Sequence, residues 1–258
     1  MTELSLTFLG TGTSQGVPVI GCNCEVCSSD DLKDKRLRSS VLIQSPKANV
    51  VIDCGPDFRQ QMLRTSCSKL DAVVLTHEHM DHVAGLDDVR PFNFITRKDM
   101  PVYCTDRVLQ RLKVQFSYAF AEDKYPGSPG FDPHLIKANE DFVVGDQSWK
   151  AILARHGTWP VMGYRINDVV YLTDVNGISD ESMDHLIGSK VLIVSALRKE
   201  THVAHYALSE AIVMAKKSKI PQVYFTHFSH SMGLHAMESK ALPKGMTFAH
   251  DGLKISLS

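Results

Sequence analysis

The segment Thr76-His77-Glu78-His79-Met80-Asp81-His82 places three imidazoles and an aspartate within six consecutive positions. Neutral imidazoles with a carboxylate suit divalent ions of borderline softness, such as zinc, manganese or iron. The motif closes an apolar run, Ala72-Val73-Val74-Leu75, which reads as a buried strand. His77 and His79 then point to one side of that strand, and the following turn lets Asp81 and His82 reach a neighbouring position. Four ligands so close together are enough to begin two metal sites. Further candidates stand where other strand-like segments end: His156 after Ile152-Leu153-Ala154-Arg155, Asp174 after Val170-Tyr171-Leu172-Thr173, and His227 after Val223-Tyr224-Phe225-Thr226. Each alone is weak. Together with the main motif they make a complete set.

A second cluster, Cys22-Asn23-Cys24-Glu25-Val26-Cys27, supplies three thiolates, one short of a closed tetrahedral zinc. His230, in Thr226-His227-Phe228-Ser229-His230, is the candidate fourth ligand, and its spacing from His227 would let one turn feed two metal sites. The start of the chain, Met1-Thr2-Glu3-Leu4, has an acid and no basic stretch, so no secretory signal is expected. A reducing, cytoplasmic setting follows as the expectation, and there such a cluster binds metal rather than oxidising. Cys54, Cys67 and Cys104 lie apart and read as small core hydrophobes.

These residues need rigid supports, and the chain offers many. Strands are expected over Leu4–Leu9, Val41–Ile43, Val50–Asp53, Ala72–Leu75 and Pro101–Cys104. Others are expected over Gln147–Leu153, Val161–Ile166, Val169–Leu172, Val191–Val194 and Val223–Phe225, with one or two more between Phe248 and Leu257. Helices are expected from Pro56 to Arg64, Asp106 to Tyr118, Asp180 to Ile187 and Ala207 to Lys217, the last with Ser209 available to start it. Strands in adjacent pairs exclude a pure alternating barrel and favour two antiparallel-rich sheets with helices outside. No linker is evident, so residues 1–258 read as a single domain with a small zinc loop near 21–30. A net charge of -1 argues against general nucleic-acid binding, and no apolar run is long enough for a membrane span. The glycine-punctuated Gly10–Gly16 loop lacks the Gly-Lys-Ser/Thr ending of a nucleotide P-loop.

The histidine motif with His156, Asp174 and His227 resembles the metallo-β-lactamase superfamily. That resemblance implies an α/β fold, an αββα sandwich with the metals at one edge of the two sheets. It assigns His77, His79 and His156 to one metal, Asp81, His82 and His227 to the other, and Asp174 to a bridge between them. Such ions, about 3.5–4 Å apart, can share a hydroxide and polarise the scissile group. Asp53 matches an aspartate that supports the ligands from behind, although a strand-end cap is an equal reading from the residues alone.

Gly21-Cys22-x-Cys24-x-x-Cys27 and Thr226-His227-x-Ser229-His230, taken with the main motif, resemble the narrower PhnP-type phosphodiesterases over nearly the whole chain. The expected function is metal-dependent hydrolysis of a small cyclic or sugar phosphodiester, such as a ribosyl 1,2-cyclic phosphate. Two divalent ions (manganese or zinc, with iron an alternative) and one structural zinc are the implied cofactors, and a homodimer is expected by resemblance only. His205 matches a histidine that protonates the leaving oxygen, acting beside Asp81 and the metals. His202 competes for that role, and Arg198 and Lys199 stand nearby to neutralise a second phosphate. The alternatives are a tRNA 3'-end endonuclease, for which no basic, glycine-rich arm is seen, and a PqqB-like non-catalytic accessory protein.

Overall fold

The computed structural model of the protein describes residues 4–257; Met1–Glu3, the acidic start of the chain, lie outside them. The first sheet is built from β1 (Leu4–Gly10), β2 (Ser40–Gln44), β3 (Asn49–Ile52), β4 (Ala72–Val74), β5 (Met100–Cys104) and β6 (Phe131–Leu135). The second contains β7 (Asp141–Val144), β8 (Gln147–His156), β9 (Trp159–Ile166), β10 (Val169–Leu172), β11 (Gly177–Ile178), β12 (Val191–Ser195), β13 (Gln222–Thr226) and β14 (Met246–Phe248). A last strand, β15 (Lys254–Leu257), returns to the first sheet beside β1.

Alternation along the strands explains the layering. Phe8, Ile43, Ile52 and Val74 face Trp149, Tyr164, Tyr171 and Ile193 in a core shared by both sheets. The intervening residues face outward and are buried as well, because helices cover both outer faces. On one side these are α2 (Phe58–Thr65), α4 (Arg90–Thr96) and α5 (Asp106–Gln115), packed through Phe58, Met62, Phe92, Val108 and Leu112. On the other, α7 (Asp180–Asp184) and α8 (Leu208–Ser218) contribute Met183, Ala211, Met214 and Ala215. Shorter turns of helix occur at α1 (Glu25–Ser28), α3 (Met80–Val83), α6 (Ser117–Phe120) and α9 (His235–Glu238). The result is the expected αββα sandwich.

Several details differ from expectation. The sheets are evenly mixed rather than antiparallel-rich: β3 through β6 run parallel to one another, as do β10, β12, β13 and β14. Pro56 lies in the turn before its helix, which opens at Phe58 with Asp57 as its cap. The helix expected to reach Tyr118 stops at Gln115, and that expected to reach Ile187 stops at Asp184. Ser209 sits inside α8; the start of that helix is closed instead by the Glu210 carboxylate accepting the Ala207 N–H at 2.8 Å. Cys54 and Cys104 are buried as expected, whereas Cys67 is only half-buried.

The parallel halves matter for the site, because their strands end at one edge. Asp53 follows β3, Thr76 and His77 follow β4, Asp174 follows β10 and His227 follows β13. The two sheets are also stitched together there. Met162 N–H donates to the Thr76 carbonyl at 3.0 Å, and the Tyr164 hydroxyl donates to the Leu75 carbonyl at 2.5 Å. Tyr164 is fully buried. Replacing it by Phe leaves that carbonyl unpaired, so Tyr164→Phe should cost about 1–3 kcal/mol, read as a lower midpoint of denaturant unfolding.

Candidate metal centres

Asp53 holds the ligand turn in place. Its carboxylate accepts the Thr76 backbone N–H at 2.8 Å, the Thr76 hydroxyl at 2.8 Å and the His82 Nδ1–H at 2.7 Å. Having donated to Asp53, the Thr76 oxygen accepts from His77 Nδ1 at 2.9 Å. One buried acid therefore orients two ligand imidazoles, directly and through a hydroxyl, and turns their Nε2 atoms away from it. The neighbouring backbone closes the grip: Cys54 N–H donates to the His82 carbonyl at 2.7 Å. A Cβ on Gly55 would meet the Asp81 carbonyl oxygen at 2.1 Å, so only glycine allows this approach.

The remaining candidates converge on the same point. His77, His79 and His156 bring one nitrogen each within 4.8 Å of one another, as do one carboxylate oxygen each of Asp81 and Asp174 and one nitrogen of His227. His77 Nε2 and His79 Nδ1 stand 3.0 Å apart, close to the ~3.3 Å edge of a tetrahedron drawn at ordinary zinc–nitrogen lengths. His82 Nε2 is buried without a hydrogen-bond partner, yet it has Asp81 Oδ2 at 3.2 Å and Asp174 Oδ2 at 3.1 Å. An orphaned imidazole nitrogen flanked by two carboxylate oxygens suits a cation between them. His156 Nδ1 donates to the Ala204 carbonyl at 2.8 Å, which leaves its Nε2 lone pair free. His227 Nδ1 lies 3.2 Å from both the Ser39 hydroxyl and Asp174 Oδ2.

Three acids set the field at this cluster. Burial opposes charge on His82, but Asp81, Asp174 and Asp53 together hold its pKa well above the ordinary value. Burial pushes the Asp174 carboxyl up, and His227 and His82 outweigh it, so the group is held well below its usual range. Three residues of the centre, Asp53, Asp174 and His227, adopt left-handed backbone with φ of 62°, 54° and 63°. For residues other than glycine that conformation is strained and concentrates at functional sites.

His205 lies among the ligands. Its ring centroid is 4.5 Å from that of His156 and 5.2 Å from that of His227, and its buried Nδ1 is 3.7 Å from Asp174 Oδ1 without a hydrogen-bond partner. Burial, reinforced by His227, pulls its pKa down to about 3. His205 also groups with His156 and Asp174 closely enough to share an ion. His202 stands one ring further out, 5.1 Å from His205, and its Nδ1 accepts the Ala204 N–H. Arg198 is engaged with the carbonyls of Glu200 and Thr201, and Lys199 pairs with Glu238 at 2.7 Å.

The second cluster forms as the spacing suggests. His230 Nδ1 lies 3.3, 3.4 and 3.5 Å from the sulfurs of Cys22, Cys24 and Cys27. Zinc bound tetrahedrally at ordinary Zn–S and Zn–N lengths would set these separations near ~3.6 Å. The Cys27 N–H lowers the pKa of the Cys24 thiol to about 6, while burial raises that of Cys27 to about 11. The Gly10–Gly16 loop supports the turn between the two centres, with Thr13 N–H donating to the Phe228 carbonyl and Phe228 N–H to that of Thr11.

Residues not foreseen include Thr76 and Ser39, which orient ligands, and Glu78, Arg107 and Trp159, which flank His79. Thr76 and Glu78 were visible inside the motif. Ser39, Arg107 and Trp159 come from separate segments and leave no local pattern.

Two variants test these assignments. Asp53→Asn should lower active-site metal affinity about 10- to 100-fold, read by competition with a chelator, because an amide cannot accept all three donors. Cys24→Ser should remove zinc from the cysteine loop and lower Tm, read by metal analysis and calorimetry; unchanged zinc content and Tm would refute the assignment.

Known proteins bear on the same residues. A family model described as the beta-lactamase superfamily domain matches residues 48–228. An octanoyltransferase of Porphyromonas gingivalis (strain ATCC BAA-308 / W83) is 38% identical over 249 residues, covering 96% of this chain and 50% of that protein. This chain thus spans about half the length of that relative. Coenzyme PQQ synthesis protein B of Methylobacterium sp. (strain 4-46) is 32% identical over 296 residues, covering 97% of this chain and 99% of that one. The crystal structure of a new diphosphatase from the PhnP family superposes with a TM-score of 0.93 at 40% identity, covering 100% of this chain and 98% of that one. The chain is a metallo-β-lactamase-fold member of the beta-lactamase superfamily and belongs, with that diphosphatase, to the PhnP family.

Proposed function

We propose that this protein is a two-metal phosphodiesterase that hydrolyses a small cyclic or sugar phosphodiester, or a diphosphate linkage. The observation that carries the reading is the convergence of seven donor side chains on one sheet edge, around the orphaned Nε2 of His82. His77, His79 and His156 would hold one ion, Asp81, His82 and His227 the other, and Asp174 would face both. When bound, such ions polarise the phosphoryl group and supply water activated near neutral pH. Hydrolysis joins the water oxygen to phosphorus and breaks the bond to the leaving oxygen, which needs a proton to depart well.

His205 is the residue placed to give that proton. It sits between His156 and His227, and its side chain is 12% exposed. Burial keeps the imidazole neutral, and the negative charge of a bound phosphate beside it favours the protonated form that can donate. His202 lies outside this contact. The name octanoyltransferase belongs to a relative twice the span of this chain, and the histidine–aspartate cluster here is chemistry for hydrolysis.

His205→Ala should lower kcat about 10²- to 10⁴-fold with metal content near that of wild type. Metal loss in that variant would make His205 a ligand instead. A panel of bis(p-nitrophenyl) phosphate, a ribosyl 1,2-cyclic phosphate and pre-tRNA tests the substrate class. Turnover of the small diesters supports the reading, and a strong preference for pre-tRNA overturns it. Metal-loaded protein that hydrolyses none of them would favour the PqqB-like accessory role.

A further inference from the structure

The turn between β8 and β9 presents a side chain that hydrolysis itself does not use. Trp159 stands directly across the hairpin from His156, and its ring centroid is 5.8 Å from that of His79. It remains 43% exposed, whereas the other tryptophan, Trp149, is 2% exposed in the core. The Arg107 guanidinium carbon lies 4.4 Å over the Trp159 ring. Arg107 Nε in turn donates to Glu78 Oε1 at 2.7 Å, and Glu78 is a buried member of the ligand turn itself. An indole is thus held by three separate segments at the mouth of the centre, with one face under a guanidinium and much of its surface open to solvent.

Stability does not account for this arrangement. The Arg107 side chain is 42% exposed, which limits what the ion pair contributes, and an indole 43% exposed forgoes a large share of its hydrophobic contribution. Recognition does account for it. Aromatic side chains stack on any planar base, and an arginine on the same ring adds positive charge beside an attached phosphate.

We propose that Trp159 and Arg107 form a stacking platform for a planar base, so that the substrate of this centre is a small nucleoside-bearing phosphodiester or diphosphate. The inference rests on the hydrolase reading above and narrows it. On this platform the base lies against the indole while the scissile phosphorus sits among His79, His156 and His205.

Of the two tryptophans in the chain, buried Trp149 also emits but lies out of a ligand's reach, so contact quenching reports on Trp159. Titrated into wild-type protein, AMP should quench the emission and ribose 5-phosphate should not; Trp159→Phe should abolish the AMP response. In turnover, Trp159→Ala should lower the ratio of kcat/KM for ADP-ribose over that for a ribosyl cyclic phosphate by about 10-fold or more. Equal quenching by AMP and ribose 5-phosphate, no quenching by AMP, or an unchanged ratio would overturn the platform. If wild-type protein hydrolyses neither substrate, the hydrolase reading fails, and the titration still decides whether a base binds at Trp159.

Discussion

The centre depends on a carboxylate that touches none of the other acids in it. Asp53 is fully buried, and burial alone raises its pKa; the donors from His82 and Thr76 are what make its charged form tolerable there. The dependence runs both ways. Without the acid, His82 and Thr76 lose the partner that fixes their orientation, and the two Nε2 atoms they aim would be free to turn. Strain reinforces the same point, since Asp53 holds a left-handed backbone that the fold must maintain against its preference.

Much of this was legible in the sequence because ligands of one turn are neighbours in the chain. His77 to His82 and Cys22 to Cys27 can be read from spacing alone, and His156, Asp174 and His227 from their place after apolar runs. The shape of the sandwich followed from the number and pairing of strands. Other features leave no such trace. A left-handed Asp174 looks like any aspartate until the chain is folded. The edge strand β6 carries Pro133, which argues against a strand unless its edge position is known. The turn of helix at α3 is only four residues long, too short for periodicity to register. Trp159, Arg107 and Glu78 meet only because β9 and α5 begin beside the ligand turn.

The segment from Thr226 to His230 links the two candidate metal centres more tightly than spacing implied. His227 faces Asp174, His230 faces three sulfurs, and Phe228 between them packs under the guanidinium of buried Arg36 at 4.4 Å. Arg36 also donates to the Ala249 carbonyl at 2.8 Å and lies 3.1 Å from His235 Nδ1. The cysteine loop is thereby anchored to the histidine–aspartate cluster, not appended at a distance from it.

The stitching of the sheets at Leu75 and Thr76 bears on how the protein is assembled. Four of the seven donors come from the turn after β4 of the first sheet and three from strand ends of the second, so neither sheet alone encloses an ion. The centre comes into being only when the sheets dock. Ions that bind the docked form and not the separated halves must strengthen docking by mass action, in proportion to their free concentration. Metal supply would then set the lifetime of the folded chain as well as its chemistry, and starvation for metal would be felt first as susceptibility to proteolysis.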